Sequence, residues 1–75
     1  MSDTSGTTVR TPVTGVVLAV SAAVDDSVAE GDELVIIESM KMEIPVESPL
    51  AGRIVSIDVV VGQAVSEGEA VVIVQ

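Results

Sequence analysis

The chain of 75 residues contains no cysteine, no histidine and no phenylalanine, tyrosine or tryptophan. Without cysteine there is no disulfide framework, no thiolate nucleophile and no thiolate-bound zinc. Without histidine there is no imidazole base, so a serine or threonine cannot be activated as in a catalytic triad. Positive charge is nearly as scarce, with three Lys and Arg against twelve Asp and Glu and a formal net charge of −9. Nothing could neutralise a run of phosphates and no ring could stack on bases, which argues against a nucleic-acid partner. The same acidity favours solubility and basic protein partners. No apolar run approaches the ~20 residues that cross a membrane, so no membrane association is expected. The lack of cysteine is compatible with a reducing cytoplasm, which is the location we expect.

What the chain does have is aliphatic bulk. Hydrophobic residues make up 48% of it, with 17 valines and 6 isoleucines against 3 leucines. β-Branched side chains suit a pleated sheet better than a helix, so the expected class is all-β. A single domain this small buries a modest fraction of its surface. With no disulfide or zinc to staple it, stability must come from apolar packing and backbone pairing.

Arg10 followed by TPVTGVVLAVSAAV, with small residues at Ser21-Ala22-Ala23, has the outline of a signal peptide. An internal repeat argues against that reading. Residues 11–38 align without a gap on residues 48–75, at an offset of 37. Eight of these 28 positions are identical: Pro12/Pro49, Gly15/Gly52, Val24/Val61, Val28/Val65, Glu30/Glu67, Gly31/Gly68, Val35/Val72 and Ile36/Ile73. Shared Pro-x-x-Gly and Glu-Gly positions go beyond what two valine-rich segments share by composition. Such self-similarity marks a repeated supersecondary unit, so residues 11–38 are half of a fold rather than a removable leader.

Each half reads as two main strands and one short one. Gly15–Val20 and Ile54–Ile57 are the first pair, and Leu34–Ile37 and Val71–Val74 are four-residue apolar blocks of buried-strand length. Glu30-Gly31-Asp32 and Glu67-Gly68-Glu69 are turns, with Val28 and Val65 in short strands before them. Pro12 and Pro49 are expected at strand starts or edges, where no ladder donor is lost. Residues 1–8, MSDTSGTT, repeat nothing and are expected to form a flexible tail, leaving 9–75 as the folded domain. Two similar half-sheets must then bury their apolar faces on each other, giving a small sandwich or flattened barrel with an approximate two-fold axis. Residues 39–47, SMKMEIPVE, join the halves as a hairpin.

Asp25, Asp26, Glu30, Asp32 and Glu33 cluster within nine residues, but without the alternating spacing of a calcium loop. Their counterparts in the second half include Gly62, Gln63 and Ala70, so we read them as solvated turn acids. Lys41 stands apart. It is the only lysine, it lies at the join of the repeats, and Met40 and Met42, the only internal methionines, flank it. A turn at that point would ordinarily use Asn, Asp or Gly. In an extended segment Met40 and Met42 would point one way and Lys41 the other. A lysine is most often a solubilising charge, but this placement indicates a functional one. An exposed lysine amine, with an ordinary pKa of ~10.4, is a poor nucleophile at neutral pH. Such a group suits being modified by an enzyme better than doing catalysis itself.

Glu38-Ser39-Met40-Lys41-Met42 resembles the Glu-Ala-Met-Lys-Met signature of biotinyl domains, the biotin carboxyl carrier proteins and carrier segments of biotin-dependent carboxylases. The resemblance extends over about residues 9–75, through both Pro-x-x-Gly openings, the Glu-Gly-Asp/Glu turns and Gly52-Arg53-Ile54. It implies a flattened β-barrel, or sandwich, of two four-stranded antiparallel sheets with Lys41 at a hairpin tip. It implies covalent biotin on Lys41, joined by an amide through biotin protein ligase, with Met40 and Met42 as recognition flanks. The implied partners are biotin carboxylase and carboxyltransferase components, and the implied role is a non-catalytic carrier, monomeric in isolation. Ser39 departs from the usual alanine, and no loop is present of the sort that some bacterial carriers fold over their biotin. With Met1 in place and no long Pro/Ala-rich leader, the chain reads as a free-standing minimal biotinyl protein or an excised domain, and Met1 with its polar tail favours the former. Two alternatives remain at this point: a lipoyl carrier, whose related domains typically carry Asp-Lys-Ala at this site, and an unmodified interaction domain of the same fold.

Overall fold

The computed structural model describes residues 6–75, and they form eight strands and no helix. These are β1 (Thr7–Arg10), β2 (Gly15–Val20), β3 (Ser27–Val28), β4 (Glu33–Ser39), β5 (Met42–Glu47), β6 (Gly52–Ile57), β7 (Ala64–Val65) and β8 (Ala70–Val74). They pair antiparallel into two four-stranded sheets, ordered β1-β8-β6-β3 and β5-β4-β2-β7. The all-β sandwich of two four-stranded sheets is therefore the observed architecture.

The offset of 37 governs the whole of it. Shifting β1, β2, β3 and β4 by that offset lands on β5, β6, β7 and β8, and the same shift turns one sheet's strand order into the other's. Each sheet takes two strands from each half of the chain. The expected picture of two half-sheets packed face to face is therefore corrected: the halves exchange strands, and the repeat is four strands long. It begins at Thr7 and Ile44 rather than at 11 and 48. The expected tail is shortened too, since Thr7 and Thr8 pair with Val74 and Ile73. Residues 1–5 of that tail lie outside the described residues.

The core is aliphatic throughout: Val9, Val17, Leu34, Val35, Ile37, Val46, Ile54, Val59, Val65, Val71, Val72 and Val74 are buried. Neighbouring residues Leu34 and Val35 both face inward, which strict alternation forbids. The register between β4 and β5 shifts between Glu33 and Val35, a bulge that gives β4 one extra inward residue. Val71 and Val72 repeat this opposite a register shift between Val9 and Arg10. The apolar blocks read from the sequence are thus bulged strands facing one core, with Ile36 and Ile73 half-buried on the outer side.

Pro12 and Pro49, expected at strand starts or edges, lie in bends before β2 and β6, outside the strands. Each follows a buried hydroxyl, Thr11 or Ser48, that donates within its own bend to the carbonyl of Val13 (2.7 Å) or Leu50 (2.6 Å). The backbone of the same residues ties the halves together. Gly31 N–H donates to Ser48 O and Gly68 N–H to Thr11 O, both at 2.8 Å. Gly31 and Gly68 have φ of 90° and 88°, the left-handed region in which L side chains are strained. Gly15 is required for a different reason, because a Cβ there would collide with the Glu38 carbonyl oxygen. That close approach seats β2 against β4 just below the β4–β5 turn.

Candidate functional site: the β4–β5 hairpin

Strands β4 and β5 pair from Glu33↔Glu47 to Ser39↔Met42, leaving Met40 and Lys41 as a two-residue turn. Both have positive φ, 52° and 67°. That is the signature of the type I′ turn, whose twist matches a hairpin and which ordinarily takes Asn-Gly. Met40 and Lys41 are therefore held in a conformation that costs an L residue roughly 1–2 kcal/mol each. The expected alternation of Met40 and Met42 against Lys41 does not apply, because only Met42 lies in a strand. Met40 is 92% exposed and Met42 61% exposed, and Lys41 is exposed between them.

A strained turn that uses no turn-forming residue holds its side chains at a cost to stability. Replacing the pair by Met40→Asn/Lys41→Gly should raise the unfolding free energy by about 1–3 kcal/mol while removing the amine. A urea titration of both chains measures this; an unchanged or lowered midpoint would show that the turn is not strained.

Ser39 anchors the base of the turn. Its hydroxyl donates to the Thr14 carbonyl at 2.8 Å, and the Thr14 hydroxyl accepts from the Glu67 N–H at 3.0 Å. The hairpin is thereby linked through the start of β2 to the Glu67-Gly68 turn of the other half. Sequence reasoning missed Thr14, although one signal was available. Its repeat counterpart is Ala51, so the hydroxyl is present only in the half that supports the hairpin. Ser39→Ala removes one partly exposed hydrogen bond and should cost about 0.5–1.5 kcal/mol. The exposed turn itself keeps its conformation, so the rate at which the Lys41 amine reacts with an added acylating reagent should stay within about twofold. Thermal melting and a parallel acylation time course separate the two effects.

Glu38 and Glu43 stand opposite each other just below the turn, and Glu33 faces Glu47 at the far end of the ribbon. Like charges directly opposed destabilise a strand pair, so this hairpin is not built for maximal stability. Three other acids act in turns. Carboxylates of Asp26, Asp32 and Glu69 each accept a backbone N–H three residues earlier, from Ala23, Ala29 and Ser66, at 2.9 Å. Among the described residues no three acids come together as a possible metal site. Two open hollows exist away from the turn. One, of about 300 Å³, lies between β1 and β5 with Pro12, Pro45 and Pro49 on its walls. The other, of about 480 Å³, is lined by Ser27, Gly52, Arg53 and Gln75. Neither contains Lys41. The turn thus offers one kind of chemistry, an unenclosed primary amine open to acylation.

Residues 6–74 match the family model described as biotin-requiring enzyme, the biotin/lipoyl family. The chain belongs to this family. Within it, the likeness is to biotinyl domains. A segment of 43 residues is 44% identical to the human mitochondrial propionyl-CoA carboxylase alpha chain, over 57% of this chain and 6% of that protein. A segment of 38 residues is 53% identical to the biotinylated protein TB7.3 homolog of Mycolicibacterium smegmatis, over 51% of this chain and 54% of the other. The matches therefore span about half the length of the second relative and a small part of the first. Among solved structures, the Kluyveromyces lactis urea carboxylase superposes on the whole chain with a TM-score of 0.92 and 29% identity, using 7% of its own length. One relative is named as a biotinylated protein, which supports biotin as the cofactor, and the fold is shared with part of a carboxylase chain. No helix among the described residues is long and apolar enough to cross a membrane.

Proposed function

We propose that this biotinyl domain is a biotin carrier, acylated on the Nζ of Lys41. The observation that supports this most directly is the turn. The only lysine in the chain occupies a positive-φ position between two exposed methionines, at the end of a long hairpin. The residues fit the group, because the amine is exposed and acylating it displaces no core contact. Biotin bound there supplies the atom that takes up a carboxyl group at one enzyme site and releases it at another.

The chain's own part is mechanical. The β4–β5 turn holds the amine outward, Ser39 and Thr14 brace the turn, and Met40 and Met42 form an apolar surface for the ligase that reads it. A lysine side chain extended by its cargo makes the two active sites compete for one tethered group at raised local concentration. The partners on this reading are biotin protein ligase, a biotin carboxylase and a carboxyltransferase, in the cytoplasm. The chain itself performs no catalysis.

Intact mass spectrometry after incubation with ligase and biotin tests the reading. A single biotinyl addition is expected, mapped to the peptide containing Lys41. A lipoyl addition in cells, or an apo mass in the presence of active ligase and abundant biotin, would overturn it.

A further inference from the structure

Oxidisable side chains are confined to a single place in the described structure. The chain has no cysteine, histidine, tyrosine or tryptophan. Its three methionines are Met1, outside the described residues, and Met40 and Met42. Methionine usually fills cores, where packing shields the sulfur. Met40 and Met42 are instead 92% and 61% exposed, and neither joins the core cluster. Both stand next to Lys41, one within the turn and one as the first residue of β5.

We propose that Met40 and Met42 form a modification site for peroxide-class oxidants, and that their sulfoxides suppress acylation of Lys41. This rests on the carrier reading above. In the forward step a thioether lone pair attacks one peroxide oxygen. The O–O bond breaks, an S–O bond forms, and the proton on the attacked oxygen passes to the departing one, which leaves as water from hydrogen peroxide or as an alcohol from an alkyl hydroperoxide. Each sulfur loses two electrons and each peroxide gains two. Methionine sulfoxide reductases reverse the step with electrons from thiols, one enzyme for each sulfoxide epimer.

The consequence follows from adjacency. An enzyme that acylates Lys41 has to cover this turn, and covering it covers both methionines. A flexible thioether adapts to such a partner surface. A sulfoxide is polar and chiral, and its oxygen is an acceptor that an apolar contact leaves unpaired. Acylation should therefore fall by about ten- to a hundredfold. The fold should not change, because neither side chain contributes to the core.

The test treats the native chain with dilute hydrogen peroxide and follows oxidation by peptide mass. Met40 should oxidise ahead of Met42, in the order of their exposure, with an unchanged melting transition. Ligation rates are then compared for untreated chain, oxidised chain and oxidised chain restored by both reductases. The expected pattern is a loss of tenfold or more and full recovery. In Met40→Leu/Met42→Leu, whose one remaining thioether is Met1, peroxide should leave that variant's own rate unaltered. Equal rates for oxidised and untreated chain, a loss that reduction does not repair, or a peroxide-sensitive double variant would each overturn the inference. An untreated chain that accepts no biotin would instead overturn the carrier reading, and this inference with it.

Discussion

On the proposed carrier reading, Lys41→Arg should abolish biotin attachment: after incubation with ligase and biotin the variant should give no avidin signal and only the unmodified mass. Arginine preserves the positive charge and much of the length, so a loss cannot be assigned to electrostatics. Its guanidinium is delocalised and stays protonated, so it offers no free lone pair to an acyl donor, whereas a lysine amine can. The experiment is unusually clean in this chain, because Lys41 is the only lysine. Any signal that survived could come only from the N-terminal amine, and would sink the assignment of the site. The melting temperature should be unchanged within a few degrees, since the side chain is exposed and the turn keeps a non-glycine residue.

The second large effect is on stability. Leu34→Ala should cost about 2–5 kcal/mol, the range for truncating a fully buried leucine. Leu34 has no exposed surface and is inserted by the β4 bulge between Glu33 and Val35. A chain of this length has about 4–11 kcal/mol of total stability, so this one truncation removes a large share of it or all. Leu18 is the control. It is a leucine of the neighbouring strand β2 but is 41% exposed, and Leu18→Ala should cost under about 1 kcal/mol. Urea midpoints compare the two directly. Equal midpoints would mean that the inward-facing set of β4 has been misassigned.

The legibility of this fold varied with how much each strand buries. β2, β4, β6 and β8 each carry several inward or half-buried aliphatic residues, and all four were visible as apolar runs. The short strands containing Val28 and Val65 were visible because a valine recurs before a Glu-Gly turn in both halves. Strands β1 and β5 were not read as strands. They are edge strands, each with a single buried residue, Val9 or Val46. Over the four positions that correspond, Thr7–Arg10 and residues 44–47, only that valine is shared. An edge strand with one inward side chain leaves little hydrophobic pattern to detect. Pro45, tolerated because β5 is an edge, obscured the pattern further.

The candidate site divides the same way. Lys41 was legible because composition and repeat both single it out. Thr14 was missed, because its hydroxyl accepts from a backbone N–H 53 positions away and only the Thr14/Ala51 difference between the repeats hinted at it.

The sequence by itself determined the class, the repeat and the location of the one lysine at its centre. Valine and isoleucine periodicity, an offset and a unique residue are all properties of a line of letters. Tertiary structure alone decided that the halves exchange strands, that the turn shrinks to Met40 and Lys41, and that both are held at positive φ. These depend on which strand lies beside which, and on the register Ser39↔Met42 that closes the hairpin. The exchange of strands draws on contacts from distant segments at once, which no local stretch encodes, while the positive φ at Met40 and Lys41 runs against the local preference of both residues.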